Sequence, residues 1–163
     1  MYVTASSKEK IDFCVNVLGA TQGFNYKEQD FAEGIKESTG GRGVDVIIDF
    51  IGQNYFQQNL DAAARDGRVV TLGALSGTKL PAGVDIDAFV MKRIRYEGST
   101  LRSRDADYQG RLRDKVVETA LPKFRDRSFR IIVERIFPWE QIVDAHKLLE
   151  SNVTKGKIIC TIE

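Results

Sequence analysis

Residues 44–52 read VDVIIDFIG, and this stretch decides the fold. Val, Ile and Ile follow one another almost without a break, which is the pattern of a parallel strand covered on both faces. GGRG at 40–43 interrupts the chain just before it. Downstream, NYFQQNLDAAAR (54–65) has helical character, RVVTLG (68–73) reads as a strand, and GALSGTKLPAG (73–83) is a glycine-bearing loop. A short helix around DAFVMKR (87–93) leads into a strand at RIRYEGST (93–100). Upstream, Tyr2 to Ala5 is a short strand, and Ser6-Ser7-Lys8-Glu9 offers a Ser-x-x-Glu capping box to the next helix. That helix carries Ile11, Phe13, Cys14, Val17 and Leu18 on one broad stripe and stops at Gly19. A brief strand at GFNY (23–26) and a helix from about Asp30 to Thr39 complete the run. Strand and helix alternating at this spacing predict right-handed βαβ crossovers and an open parallel sheet over about residues 1 to 100.

After Arg104 the rhythm changes. A long amphipathic helix is predicted over 105–124, a strand at 130–137, a helix at 139–151 and a strand at 156–163. Pro81, Pro122 and Pro138 fall at loops or element ends, as proline requires.

The 163 residues suffice for one domain with a core, with room for an appendage and not for two full-sized domains. With 24 Lys and Arg against 23 Asp and Glu, the formal net charge is +1 and both signs are scattered. Neither nucleic acid nor a membrane surface is an expected partner. The basic clusters MKRIRYEG and LRSRDADYQGRLR are interleaved with acids and read as solvated faces. No apolar stretch approaches the ~20 residues of a membrane span, and the N-terminus lacks signal-peptide order. A soluble, cytoplasmic protein is expected. Cys14 and Cys160 have no CxxC spacing and are expected as buried thiols, and His146 as a structural or surface residue.

In a dinucleotide fold a glycine-rich turn after the first strand holds the phosphates, and the tip of the second strand reads the adenosine ribose. No GxGxxG occurs in the chain. TASSKEK (4–10) suits the second task, with hydroxyls at a helix N-terminus and Lys10 one turn in. An NAD-specific tip would carry Asp or Glu; Ala5-Ser6-Ser7 points instead to a 2′-phosphate. Simple capping of the helix by these serines accounts for the same residues equally well.

The ordered series TASSKEK, LGAT, GFNYKEQDF, GGRGVDVIIDFIG, DGRVVTLGALSG, GSTLRSRD and AHKLLESNVTKGKI resembles the zeta-crystallin-like quinone oxidoreductase branch of the medium-chain dehydrogenase/reductase superfamily. The likeness runs from residue 2 to 162. It implies a GroES-like domain followed by a Rossmann domain, with the last segment of chain returning to the first domain. It further implies NADPH in the cleft between them, hydride delivery to a quinone, enone or other reactive carbonyl compound, and no zinc. Carried over by position, Ser7 and Lys10 would hold the 2′-phosphate, with Ser6 beside them where the family often has Gly, and Tyr26 would approach the same phosphate. Phe50 and Ile51 would border the adenosine. Gly73, Ala74 and Leu75 would lie along the nicotinamide, with Thr100, Leu101 and Arg102 facing them, and Asn152 would complete the cleft. No acid-base residue follows from the resemblance.

The family's first domain, the first Rossmann strand and its phosphate turn have no counterpart in the sequence. The expected fold is therefore α/β: an incomplete Rossmann-type parallel sheet lacking its first strand (1–104), then a C-terminal helix-strand-helix-strand segment of the catalytic domain (105–163). The missing strand belongs between the second and fourth, so two edges are left whose unpaired backbone groups each cost ~1 to 3 kcal/mol when buried. Two functional expectations follow. One is a truncated portion of an NADPH-dependent reductase with at most weak NADPH binding and no appreciable turnover. The other is a non-catalytic Rossmann-remnant binding or dimerisation module. Homo-oligomers through Ile94 to Ser99 are expected in either case.

Overall fold

A computed structural model describes residues 1–80 and 82–162; Pro81 and Glu163 lie outside the described residues. The chain divides into two compact units, Met1–Ser103 and Arg104–Glu163.

The first unit begins with β1 (Tyr2–Ala5), α1 (Lys8–Asn16), β2 (Gln22–Asn25), α2 (Phe31–Ser38) and β3 (Val44–Asp49). It continues with α3 (Phe56–Ala62), β4 (Ala63–Thr71), α4 (Asp87–Met91) and β5 (Arg95–Gly98). Every strand pair is parallel, as the alternation predicts. The strands form two sheets, however: β1 pairs with β2, and β3-β4-β5 form the other. The break falls between β1 and β3, where a dinucleotide fold has a further strand. β1 and β3 do not close up on each other; a cleft of about 990 Å³ separates them.

This break corrects the reading of VDVIIDFIG as a strand covered on both faces. Val46 is 58% exposed and Ile48 52%; they share one face of β3, and that face is left largely uncovered. Ile47 alternates to the opposite face and packs against two core clusters. One comprises Phe24, Phe31, Ala32, Ile35 and Ala62. The other comprises Leu60, Ala63, Val69 and Ile94.

Local chemistry sets the helix ends. Asp30 caps α2 by accepting from the Ala32 and Glu33 backbone N–H groups at 2.7 and 3.4 Å. Ser7, not Ser6, caps α1: its hydroxyl accepts from the Lys10 N–H at 3.3 Å, so the predicted Ser6–Glu9 box is displaced by one residue. α1 has no buried residue; it lies on β1 and β2, with Val17 and Leu18 exposed and Cys14 only half-buried. The helix predicted over 54–65 is shorter than expected, since residues 53–55 form a 3-10 turn and Ala63 already pairs with Val44.

Lys92 holds the end of α3. Its ammonium donates to the carbonyls of Leu60, Asp61 and Ala63 at 3.2, 2.8 and 2.9 Å, satisfying groups that a helix C-terminus leaves open. Burial, with the nearby Lys36 charge, lowers its pKa while Asp61 opposes the change; three carbonyl acceptors at hydrogen-bond distance favour the charged cap at neutral pH. Lys92→Met should therefore lose about 1–2 kcal/mol, read as a lower midpoint in chemical denaturation with an unchanged slope.

The second unit contains α5 (Ala106–Thr119), α6 (Leu121–Arg125), β6 (Val133–Pro138), α7 (Ile142–Glu150) and β7 (Lys157–Thr161). The predicted long helix is broken at Ala120, with Pro122 in the first turn of α6, where its missing N–H is tolerated. β6 and β7 are parallel and joined through α7. Only Phe137 and Ala145 of this unit are buried among the described residues. Cys160 is half-buried rather than buried, both cysteines are free thiols, and His146 is exposed on α7. Among the described residues no helix is long and apolar enough to cross a membrane.

Candidate functional site

The carboxyl ends of parallel strands are where open α/β sheets bind ligands, and the predicted residues of the first unit gather at such ends in two groups. The first surrounds β1 and β2. Ser6 and Ser7 lie at the tip of β1 and are half-buried, as is Lys10 in the first turn of α1. Ser7 has extended backbone angles (φ −159°, ψ 156°) and its hydroxyl serves as the helix cap. Tyr26 follows β2, and its N–H donates to the Ala5 carbonyl at 3.3 Å. Its ring meets Tyr55 edge-on at 6.1 Å.

Tyr55 joins this group to the next. Burial raises its hydroxyl above the ordinary tyrosine value of 10.0, a hydrogen bond with the Thr4 side chain pulls the other way, and Tyr26 and Asp49 add to the rise. The folded chain thus favours the neutral phenol. That stabilisation is complete below pH 10 and is lost as pH climbs through the raised pKa. Tyr55→Phe should remove one component that titrates above pH 10 from the tyrosinate absorbance curve, and should flatten the alkaline loss of stability.

The second group is organised by Asp49, 3% exposed at the end of β3. One carboxylate oxygen accepts from the N–H groups of Ile51 at 2.8 Å and Gly52 at 3.2 Å. The other accepts from Gly52 at 3.2 Å and lies 3.4 Å from the Thr71 hydroxyl, itself 3.2 Å from the Tyr96 hydroxyl. A buried carboxylate is thereby supplied with donors and orders the loop after the strand. Gly52 there has φ 82°, a left-handed conformation that glycine adopts without a Cβ clash.

This loop meets the one after β4. The N–H groups of Leu75 and Ser76 donate to the carbonyls of Phe50 and Ile51 at 3.2 and 2.9 Å. The Ser76 hydroxyl donates to the Ile51 carbonyl at 2.8 Å and accepts from the Asn54 N–H at 3.0 Å. A Cβ on Gly73 would lie 3.1 Å from the Phe50 carbonyl oxygen, so the close approach of the loops favours glycine. Phe50, Ile51, Gly73, Ala74 and Leu75 therefore share one surface, with Phe50 53% and Leu75 82% exposed. Thr100, Leu101 and Arg102 follow β5, whose end is tied to β4 by Ser99 N–H to the Thr71 carbonyl at 2.9 Å; all three are exposed. Asn152 belongs to the second unit. It follows α7 with φ 55°, and its N–H donates to the Leu149 carbonyl at 3.2 Å.

Asp49, Thr71, Tyr55 and Ser76 were missed by sequence reading. A lone acid inside VDVIIDFIG, three residues before a glycine, is the signal that would have exposed Asp49. Tyr55 gave none, because its role depends on Thr4 in a different sheet.

The adenosine end of a dinucleotide fits these residues, with Ser7 and Lys10 at one strand tip and apolar Phe50 and Ile51 at another. A glycine-rich phosphate turn has no counterpart among the described residues. Among the described residues no three His, Cys, Asp or Glu side chains converge.

Three comparisons bear on this arrangement. The profile of the zinc-binding dehydrogenase family matches residues 18–160. The 2-haloacrylate reductase of a Burkholderia species is 31% identical over 162 residues, covering 96% of this chain and 46% of the reductase. Quinone oxidoreductase 1 of Escherichia coli strain K12 is 30% identical over 145 residues, 85% of this chain and 42% of that protein. Among solved structures, a mycobacterial protein complexed with NADPH superposes with a TM-score of 0.74 at 23% identity, covering 99% of this chain and 49% of that one, a likeness of fold. The chain thus spans somewhat less than half the length of the two curated relatives.

Proposed function

This chain belongs to the zinc-binding dehydrogenase family, within the medium-chain dehydrogenase/reductase superfamily, and we propose that it is the cofactor-binding portion of a cytoplasmic NADPH-dependent reductase of quinones or reactive carbonyl compounds. The observation that carries this reading is the tip of β1. Ala5-Ser6-Ser7 brings no carboxylate to repel a 2′-phosphate, Ser7 sits at the start of α1, and Lys10 follows one turn later. Backbone N–H groups and the helix dipole favour an anion there.

When bound, the dihydronicotinamide supplies the hydride. The chain's own residues position and shield. Ser6, Ser7, Lys10 and Tyr26 take the 2′-phosphate, and Phe50 and Ile51 cover the adenosine. Gly73, Ala74 and Leu75 border the nicotinamide side across from Thr100, Leu101 and Arg102. Asp49 acts behind them by fixing the loop that carries Phe50 and Ile51. Residues 105–163 are, on this reading, the part of the catalytic domain that follows the cofactor domain. No proton-transfer step is assigned, since positioning of cofactor and acceptor can carry hydride transfer.

Residues 1–163 alone should bind NADPH with weaker than micromolar affinity and show no appreciable quinone-dependent NADPH oxidation, because the cradle for the diphosphate is not built from them. Fluorescence titration should still favour NADPH over NADH, and Lys10→Glu should cut the NADPH affinity by roughly tenfold or more, the scale of one charge-assisted hydrogen bond. Equal affinity for the two cofactors would remove the 2′-phosphate assignment; micromolar binding with steady turnover would refute the inactivity.

A second reading, a non-catalytic binding or dimerisation module, is favoured by the open strand edges. β5 pairs with β4 alone, so pairing of Ile94 to Ser99 with a second copy is available. A dimer in light scattering that dissociates on Tyr96→Pro would support it.

A further inference from the structure

We propose that the carbonyl oxygens of Leu60, Asp61 and Ala63, at the junction of α3 and β4, form a site for a monovalent cation, which the Lys92 ammonium occupies as a tethered ion. Potassium and small primary ammonium ions are the free cations that it takes once the tether is removed. This inference does not rest on the cofactor reading and goes beyond it.

The ligand set is complete for one positive charge. The three oxygens lie 3.2, 2.8 and 2.9 Å from Nζ, so each N–H of the ammonium has one acceptor. They come from one short stretch, residues 60–63, while Lys92 reaches them from 29 to 32 positions further along the chain. All three are main-chain oxygens, the groups that stand in for water around potassium. Magnesium and calcium take carboxylate oxygens at about 2.0–2.6 Å, and no carboxylate belongs to this set. The Asp61 carboxylate, bonded to Gln57 Nε2 at 3.4 Å, favours a cation here from outside the set, while Lys36 opposes it.

The oxygens do not depend on the lysine for their placement. Leu60, Ala62 and Ala63 are buried, Ala63 pairs with Val44, and Gly43 packs against the Ala62 and Ala63 carbonyls. The main chain of Lys92 is likewise anchored without its side chain. Its N–H donates to the Ala88 carbonyl at 3.0 Å and its carbonyl accepts from the Asp66 N–H at 2.7 Å. Arg93 holds Asp66 through two further bonds of 2.7 and 2.6 Å. Truncation of the Lys92 side chain therefore leaves three carbonyls aimed at a vacated position. Acceptors left unpaired where water is partly excluded are unfavourable, and a free cation restores their partner.

The tether has a consequence for the native chain. An attached ammonium meets the oxygens at an effective concentration that a dissolved ion does not match, so the native chain is indifferent to which monovalent cation surrounds it.

The test compares the native chain, Lys92→Ala and Lys92→Arg in potassium, ethylammonium and tetramethylammonium chlorides at equal ionic strength. Lys92→Ala should melt below the native chain in tetramethylammonium, which is bulky and has no N–H. Potassium or ethylammonium at about 0.5 M should raise its melting temperature by about 2–4 °C, saturably, as expected for a site filled several-fold above its Kd. The native chain should melt alike in the three salts. So should Lys92→Arg, whose planar fork fills the position without converging on three oxygens. Crystals of Lys92→Ala grown with rubidium chloride should carry an anomalous peak among the three carbonyls. The proposal fails if Lys92→Ala responds to all three salts alike, if the native chain or Lys92→Arg gains as much as Lys92→Ala, or if rubidium is absent from the carbonyls. Should Lys92→Ala not fold in tetramethylammonium, recovery of folded protein in potassium or ethylammonium supports the site, and failure in all three salts overturns it.

Discussion

Gly43→Ala should destabilise the first unit by about 3 kcal/mol, the sum of ~1–2 for a left-handed residue and ~1–3 for overpacking. Gly43 has φ 82°, and a Cβ there would lie 2.5 Å from the Ala62 carbonyl oxygen and 2.9 Å from that of Ala63. Both obstacles are backbone, so no side chain can turn aside to relieve the contact. The residue stands at the start of β3, where Val44 pairs with Ala63, and a shift there would propagate into the strand that carries Asp49. Equilibrium unfolding in urea checks this; a loss under about 1 kcal/mol would mean that the β3–β4 entry yields more readily than the close packing of interiors allows. Gly40 serves as the internal control, since its added Cβ meets nothing within 4 Å.

Phe24→Ala should cost about 3–5 kcal/mol, the range for emptying a buried aromatic site. Phe24 is 2% exposed in the larger aromatic cluster. Its ring stacks with Tyr2 at 6.2 Å and 20°, and a Cβ on Gly34 would collide with that ring, so α2 is shaped around it. Because Phe24 also lines the cleft, the variant should lose near-UV circular dichroism from its aromatic surroundings in step with stability. A folded variant with native signal would show that Tyr2 and Phe31 can collapse into the space.

The fold was legible to the extent that its signals are local. Strand-helix alternation and the helix from about Asp30 depend on neighbours within a few residues, and those elements appear where expected. Ser7 displaces Ser6 as the cap of α1 because both are competent and only the backbone path selects between them. The exposure of Val46 and Ile48 could not be seen in the run VDVIIDFIG, since burial of a strand face depends on what packs over it from elsewhere in the chain. Cys14 misled for the same reason: an apolar stripe announces a face able to be buried, and α1, packed on β1 and β2, has no fully buried residue. Site residues at strand tips were legible as positions, because strand ends were. The carboxylate of Asp49 and the hydroxyl of Tyr55 derive their surroundings from contacts between segments far apart in sequence.

Ile47 packs against both core clusters, while no strand ladder crosses from β1 to β3. The two halves of the first unit are therefore coupled by side-chain contacts across the cleft, and not by a backbone lattice. Sliding or tilting one half against the other deforms a soft dispersive contact and breaks no interstrand hydrogen bond.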